Sequence, residues 1–185
     1  MVIIGVTGSF GSGKSTVAKM LKRLSNGYLI DADKIARKLV EGKLKNRIVK
    51  EFGTNDRKGL AETVFSDKTK LDKLNSIVRP EVKGGISKLL RKYKKRIVII
   101  DAPLLIEAKI KTDKIVVVKT KKNKIIKRLS KKYSKVEVLK RIRSQMAFNR
   151  KARYADYIVD NSKSLKDTEY QVKKVWGKIS LRCLS

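Results

Sequence analysis

The chain has 185 residues and carries 48 Lys and Arg against 17 Asp and Glu, a formal net charge of +31. That length supports one good hydrophobic core with room for an inserted subdomain, but not two ordinary domains. With no histidine and one cysteine, Cys183, the composition excludes Ser-His-Asp and Cys-His catalysis, histidine zinc sites and any internal disulfide, so a general base must be a carboxylate, lysine or tyrosine.

The chain opens on a strand-length apolar run, Val2 to Val6, followed at once by Gly8-Ser9-Phe10-Gly11-Ser12-Gly13-Lys14-Ser15-Thr16. This fits G-x-x-x-x-G-K-[ST], the phosphate-binding P-loop, whose glycines let a tight turn bring backbone N–H groups against phosphate oxygens. Val17, Leu21 and Leu24 supply the i, i+4, i+7 stripe of a helix beginning near Lys14, and its positive dipole end adds to those donors. The pattern assigns Gly8, Gly11, Ser12, Gly13, Lys14, Ser15 and Thr16 to the polyphosphate of a nucleoside triphosphate. Lys14 would reach the β- and γ-phosphates, and the Ser15 hydroxyl would complete the shell of a Mg²⁺ ion.

A second strand, Tyr28 to Ile30, leads into Asp31 and Asp33 at the carboxyl edge of the sheet, where doubly wound folds place their ligands. From there to the third strand the sequence reads as helical throughout. Leu71, Leu74 and Val78 and then Val82, Ile86 and Leu89 face inward, and Arg79-Pro80 predicts a break between two helices. The third strand, Ile97 to Ile100, ends at Asp101. P-loop enzymes hold Mg²⁺ partly through an acid ending a neighbouring strand, so Asp101 is the natural metal carboxylate, which leaves the Asp31/Asp33 pair to serve an acceptor hydroxyl.

Strands at Lys114 to Val118 and Tyr157 to Val159 follow. Ser134-Lys135-Val136-Glu137 is a capping box that opens a helix through Leu139, Ile142 and Met146, and Ser164-Leu165-Lys166-Asp167 opens another through Val172, Val175, Trp176 and Ile179. Cys183, near the end, is expected to have no role. This alternation predicts an α/β fold with a parallel sheet.

The charge raises a rival from another class, a nucleic-acid-binding protein whose lysines neutralise phosphates. The lysines are spread along the whole chain, and no recognition-helix or RNA-reading signature accompanies them. They read instead as a solvated surface that also attracts anionic substrates. The longest apolar runs, such as "RIVII" and "KIVVV", are strand-length, and nothing at the N-terminus resembles an export signal. With a single cysteine, the expected location is the reducing cytoplasm, away from any membrane.

Taken in order, "GSFGSGKST", "DADKIAR", "DRKGLAETVF", "LNSIVRP", "DAPLLIE", "KRLSKK", "RIRSQM" and "ADYIVDN" resemble the bacterial-type dephospho-coenzyme A kinases over almost the whole chain. The pairing of "DAD-x-I-A-R" with "PLL-x-E" and the late "ADY-x-x-D-N" is the specific part. The resemblance implies a three-layer P-loop nucleoside-triphosphate-hydrolase-type fold with a parallel sheet, within a single domain over 1–185, a helical acceptor-binding insert near 46–93 and a mobile lid near 121–149. It implies ATP-dependent, Mg²⁺-assisted phosphorylation of the ribose 3′-hydroxyl of dephospho-coenzyme A. Asp33, the second acid of D-x-D, is the implied base. Asp31, Arg37, Arg79 and Glu107 are implied acceptor contacts, and Lys14, Arg128 and Arg141 the cations on the γ-phosphate. Family members usually carry His-Pro where this chain has Arg79-Pro80, and R-L-x-x-R where Arg128 is followed by Lys132. The alternatives are a nucleoside or nucleotide kinase of the same fold and a P-loop NTPase that binds nucleic acid.

Overall fold

All five apolar runs read as strands form strands, each longer than its run by one or two polar or small residues. In a computed structural model of the chain, which describes residues 1–93 and 97–183, they are β1 (Val2–Gly8), β2 (Tyr28–Asp31), β3 (Ile97–Asp101), β4 (Lys114–Lys119) and β5 (Tyr157–Asp160). The extensions arise because the parallel ladder continues past the apolar residues, pairing Val6 with Asp101, Gly8 with Val118 and Lys119 with Asp160. The side chain of Cys183 lies outside the described residues.

The strands make one five-stranded sheet in the order β2-β3-β1-β4-β5. β1 pairs in parallel with β3 on one side and β4 on the other, and β4 pairs in parallel with β5. The first strand of the chain therefore lies at the centre of the sheet. Helices α1 (Lys14–Ser25) and α9 (Leu165–Cys183) build the larger core with the sheet: Val17 and Leu21 of α1 and Val172 and Ile179 of α9 meet Ile4, Val6, Ile99, Val116, Val118 and Val159. Val98, Ile100 and Val117, which point the other way from their strands, are also fully buried. Burial on both faces is why these strands read as continuous apolar runs with no alternation.

Three shorter helices lie between β4 and β5, α6 (Lys122–Leu129), α7 (Lys135–Arg143) and α8 (Phe148–Ala152). The capping box of α7 forms as expected, with Glu137 N–H donating to Ser134 Oγ at 3.2 Å and Ser134 N–H donating to Glu137 Oε2 at 2.8 Å. The helix stops at Arg143, however, so Met146 lies beyond it. The last turn tightens as Gln145 N–H bonds back to Ile142 O at 3.2 Å, and the Met146 N–H turns to a side chain elsewhere in the fold. The second box forms too, with Asp167 N–H donating to Ser164 Oγ at 3.1 Å.

The chain divides into two compact units, one of Met1–Ile30 together with the residues from Tyr93 onward, the other Asp31–Lys92. The second is all-helical: α2 (Ala32–Glu41), α3 (Lys45–Phe52), α4 (Arg57–Ser66) and α5 (Lys68–Lys92). It has its own core of Leu44, Ile48, Leu60, Val64 and Ile77. The break expected at Arg79-Pro80 does not occur, since α5 runs through Pro80 without interruption. Its buried residues Ile77, Val82 and Ile86 stand on both sides of the proline, so the burial of one continuous face outweighs the lost N–H and the ring clash. Among the described residues, no helix is long and apolar enough to cross a membrane.

Candidate active site

The loop after β1 turns on two glycines in the left-handed region, Gly11 at φ 73° and Gly13 at φ 84°. Neighbouring side chains also crowd both positions. A Cβ at Gly11 would stand 2.6 Å from Leu129 Cδ1, and one at Gly13 would collide with the amide nitrogen of Asn161. Gly13 is also the N-cap of α1, a helix with no side-chain cap and no acid in its first turn. Its positive end is thus left to an anion, and the backbone that leads into it is shaped to approach one closely.

Four side chains brace this loop. Asn161 Nδ2 and Thr120 Oγ1 each donate to the carbonyl of Ser12 at 2.8 Å. Thr168 Oγ1 donates to Asn161 Oδ1 at 2.9 Å, which fixes the orientation of the amide. On the other side of the turn, Phe10 N–H donates to Gln145 Oε1 at 2.8 Å. Thr120 and Asn161 come from the carboxyl ends of β4 and β5 and Thr168 from the start of α9, whereas Gln145 comes from the segment between α7 and α8, so the sheet holds one side of the loop and the exit of α7 the other.

Cations gather around it. Arg128 on α6 donates from Nη2 to Asn161 O at 2.8 Å, and its other terminal nitrogen lies 3.8 Å from where a Gly13 Cβ would stand. Arg141 on α7 places its guanidinium carbon 4.7 Å from the Tyr133 ring centroid and 5.4 Å from that of Phe10, while the two rings meet edge to face at 5.5 Å. A flat, delocalised cation is suited to such stacking, and it ties α7 to the phosphate loop. Asp101 ends β3 directly beside Val6 of β1 and is 4 % exposed.

The sequence model of the dephospho-CoA kinases matches residues 2–167. The chain belongs to this family. The dephospho-CoA kinase of Listeria monocytogenes is 40 % identical over 186 residues, covering 91 % of this chain and 92 % of the relative. The crystal structure of TT1252 from Thermus thermophilus is similar at TM-score 0.79 and 32 % identity, with 96 % of this chain and 97 % of that chain covered. The dephospho-CoA kinase of Campylobacter jejuni superposes at TM-score 0.64 and 28 % identity over 97 % of this chain and 98 % of that one.

Within this dephospho-CoA kinase family member, the residues expected to act fall into both compact units. Gly8, Gly11, Ser12, Gly13, Lys14, Ser15, Thr16, Asp101, Glu107, Arg128 and Arg141 belong to the sheet-bearing unit, and Asp31, Asp33, Arg37 and Arg79 to the helical one. Asp31 is the N-cap of α2, accepting from Lys34 N–H at 2.9 Å, while Asp33 and Arg37 are exposed on the same helix. Arg79 lies on α5, with its Nε buried and no hydrogen-bond partner for it among the described residues.

Glu107 is engaged within its own unit. Its Oε1 accepts Met146 N–H at 3.0 Å and pairs with Lys151 Nζ at 3.1 Å. Lys151 is fully buried. Burial pushes its pKa below the usual lysine range, Glu107 opposes that shift, and the charge of Lys14 adds to it. No spacing in the sequence marks Thr120 or Thr168, and nothing distinguishes Lys151 among 48 Lys and Arg residues, whereas Asn161 and Gln145 lie within the motifs "ADYIVDN" and "RIRSQM", which would have pointed to them.

Proposed function

We propose that this chain transfers the γ-phosphoryl group of ATP to the ribose 3′-hydroxyl of dephospho-coenzyme A, giving coenzyme A and ADP. The observation that carries the reading is the braced phosphate loop at the end of the central strand, in a chain that belongs to the dephospho-CoA kinase family. The uncapped start of α1 and the Gly11–Thr16 backbone receive the β- and γ-phosphates, and Lys14 neutralises charge on the oxygens that bridge them. Arg128 and Arg141 cover the transferring group from α6 and α7, which we assign to a lid near 121–149. Asp33 accepts the proton of the 3′-hydroxyl as its oxygen bonds to the γ-phosphorus and the bond to ADP breaks. Arg37 and Arg79 contact the acceptor, and the helical stretch near 46–93 accommodates its pantetheine arm.

A carboxylate and a hydroxyl are the hard oxygen donors that Mg²⁺ takes from proteins, and Asp101 and Ser15 supply one of each. An ion held by these two would complete its shell from nucleotide phosphates and water. When bound, Mg²⁺ would neutralise developing phosphate charge. The remaining catalysis is positioning by the chain's own residues, together with exclusion of water so that ATP is not simply hydrolysed.

Labelled ATP offered side by side with dephospho-coenzyme A, AMP, CMP and free nucleosides tests the reading. Coenzyme A should form fastest. Faster transfer to a nucleoside monophosphate would favour a nucleotide kinase of the same fold, a reading that the family membership does not favour.

A further inference from the structure

An ammonium group taken fully out of water is costly unless paired and hydrogen-bonded, and lysine is almost never found there otherwise. Lys151, on the short helix α8, has no exposed surface. Its Nζ donates to the carbonyl of Pro103, reaches Thr7 Oγ1 at 3.4 Å and pairs with Glu107 Oε1 at 3.1 Å. Thr7 Oγ1 itself donates to Pro103 O at 3.1 Å. One cation therefore meets the last residues of β1, just before the phosphate loop, and the segment that follows Asp101.

The same contact extends toward α7. Glu107 Oε1 accepts the backbone N–H of Met146 at 3.0 Å, and the preceding Gln145 accepts Phe10 N–H at 2.8 Å. The peptide that leaves α7 is thereby pinned at consecutive residues, once to the phosphate loop and once to Glu107. An apolar side chain of the same volume would fill the space without desolvating a charge, and buried ion pairs are often no more stable than such replacements. What a methionine or leucine could not do is aim the Glu107 carboxylate.

We infer that Lys151 is a positioning residue for phosphoryl transfer, acting through Glu107: it fixes the carboxylate that holds the exit of α7, and with it the placement of Arg141, relative to the phosphate loop and Asp101. This rests on the phosphotransfer reading and deepens it, since no step of that mechanism uses Lys151. It also gives Glu107 a role toward Lys151 and Met146 in place of acceptor contact.

The test is a cycle of Lys151→Met, Glu107→Gln and the double variant, with kcat, KM, melting temperature and amide hydrogen exchange measured on each full chain. Lys151→Met should lower kcat by about 100-fold, the scale of a misplacement of roughly 1 Å, with KM for ATP changed by less than about 3-fold. The Met146 amide should lose protection while the β1 and β3 amides keep theirs, a local change that general destabilisation would not produce. Because the two residues act as one, the double variant should be no slower than the slower single variant. Multiplying losses, or near-wild-type kcat in Lys151→Met, would overturn the inference. If Lys151→Met does not fold, the double variant, which leaves no unpaired carboxylate, is compared with Glu107→Gln: equal turnover supports the inference and a further clear loss overturns it. Wild-type protein that makes no coenzyme A would refute the functional reading instead, and the Met146 exchange, which needs no substrate, would still decide whether Lys151 holds the exit of α7 through Glu107.

Discussion

Lys14 opens α1 directly behind Gly13, whose backbone is boxed in by the Asn161 amide. The lysine is thus delivered by a loop that has little room to relax, which is the condition for preorganised charge stabilisation. Lys14→Ala should lower kcat by about 10²- to 10³-fold with an unchanged melting temperature, and wild-type-like transfer by the folded variant would sink the phosphate-loop assignment. The two acids of D-x-D separate in the same way. Asp31 caps α2 through Lys34 N–H, so Asp31→Ala should cost about 1 kcal/mol of stability and only a modest part of the rate. Asp33→Asn, which keeps shape but loses basicity, should leave ATP binding nearly intact and remove most of the transfer rate. A full rate in Asp33→Asn would send the search for the base elsewhere. At this scale the sequence is legible where spacing alone specifies chemistry, as in Gly8 to Thr16. It is silent where the role depends on burial, because Lys151 differs from its exposed counterparts only in what surrounds it.

The strands and the starts of α7 and α9 were readable because each has a local cause: both-face burial makes the apolar runs of β3 and β4, and serine at the N-cap with an acid three residues on starts α7 and α9. Helix ends depend on distant partners and were not. Met146 falls outside α7 because its N–H goes to Glu107, and α5 crosses Pro80 because Ile77 before the ring and Val82 and Ile86 after it are all buried. Pro80 is exposed, so replacing it disturbs no core. An interior proline costs a helix about 3 kcal/mol, and part of that is offset because alanine loosens the unfolded chain by up to about 1 kcal/mol. Pro80→Ala should therefore raise the unfolding free energy by about 2 kcal/mol in urea titrations, and an unchanged midpoint would show that the helix had already adapted to the ring. The β5–α9 turn carries a pH dependence. Burial opposes the charge of Asp160, yet hydrogen bonds from Ser162 and the nearby Lys119 and Lys121 hold its pKa below the ordinary 3.8, and bonds from Ser164 hold Asp167 below the same value. Groups depressed on folding contribute stability that is complete above pH 3.8 and is lost as pH falls through their lower folded values. Amide exchange at Asn161 and Ser162 should accelerate in that window before the β1 and β3 amides respond, because this turn is where the brace on Ser12 begins.

Over the whole molecule the +31 charge is expected to act on the encounter with substrates and not on the bond being made. Both proposed substrates are polyanions, and a field of one sign raises their rate of arrival while leaving a closed, bound complex unaffected. Raising salt from 50 to 200 mM should therefore lower kcat/KM for ATP and for dephospho-coenzyme A several-fold with kcat nearly constant, since screening acts beyond a Debye length of about 10 Å and not on contacts within the phosphate loop. Any DNA or RNA binding by the same lysines is expected at low salt only. If they serve only solubility and steering, that binding should be independent of sequence and should collapse by about 10³-fold or more over the same salt range when six or more phosphates are contacted, because it rests on counterion release. Filter binding with two unrelated duplexes and one single strand, run beside the kinase assay at each salt, measures both effects on one preparation. A sequence-selective complex that persists at 200 mM salt, or turnover that requires added RNA, would show that the charge has a macromolecular partner; equal, salt-sensitive binding with turnover indifferent to nucleic acid assigns it to the capture of small phosphorylated substrates.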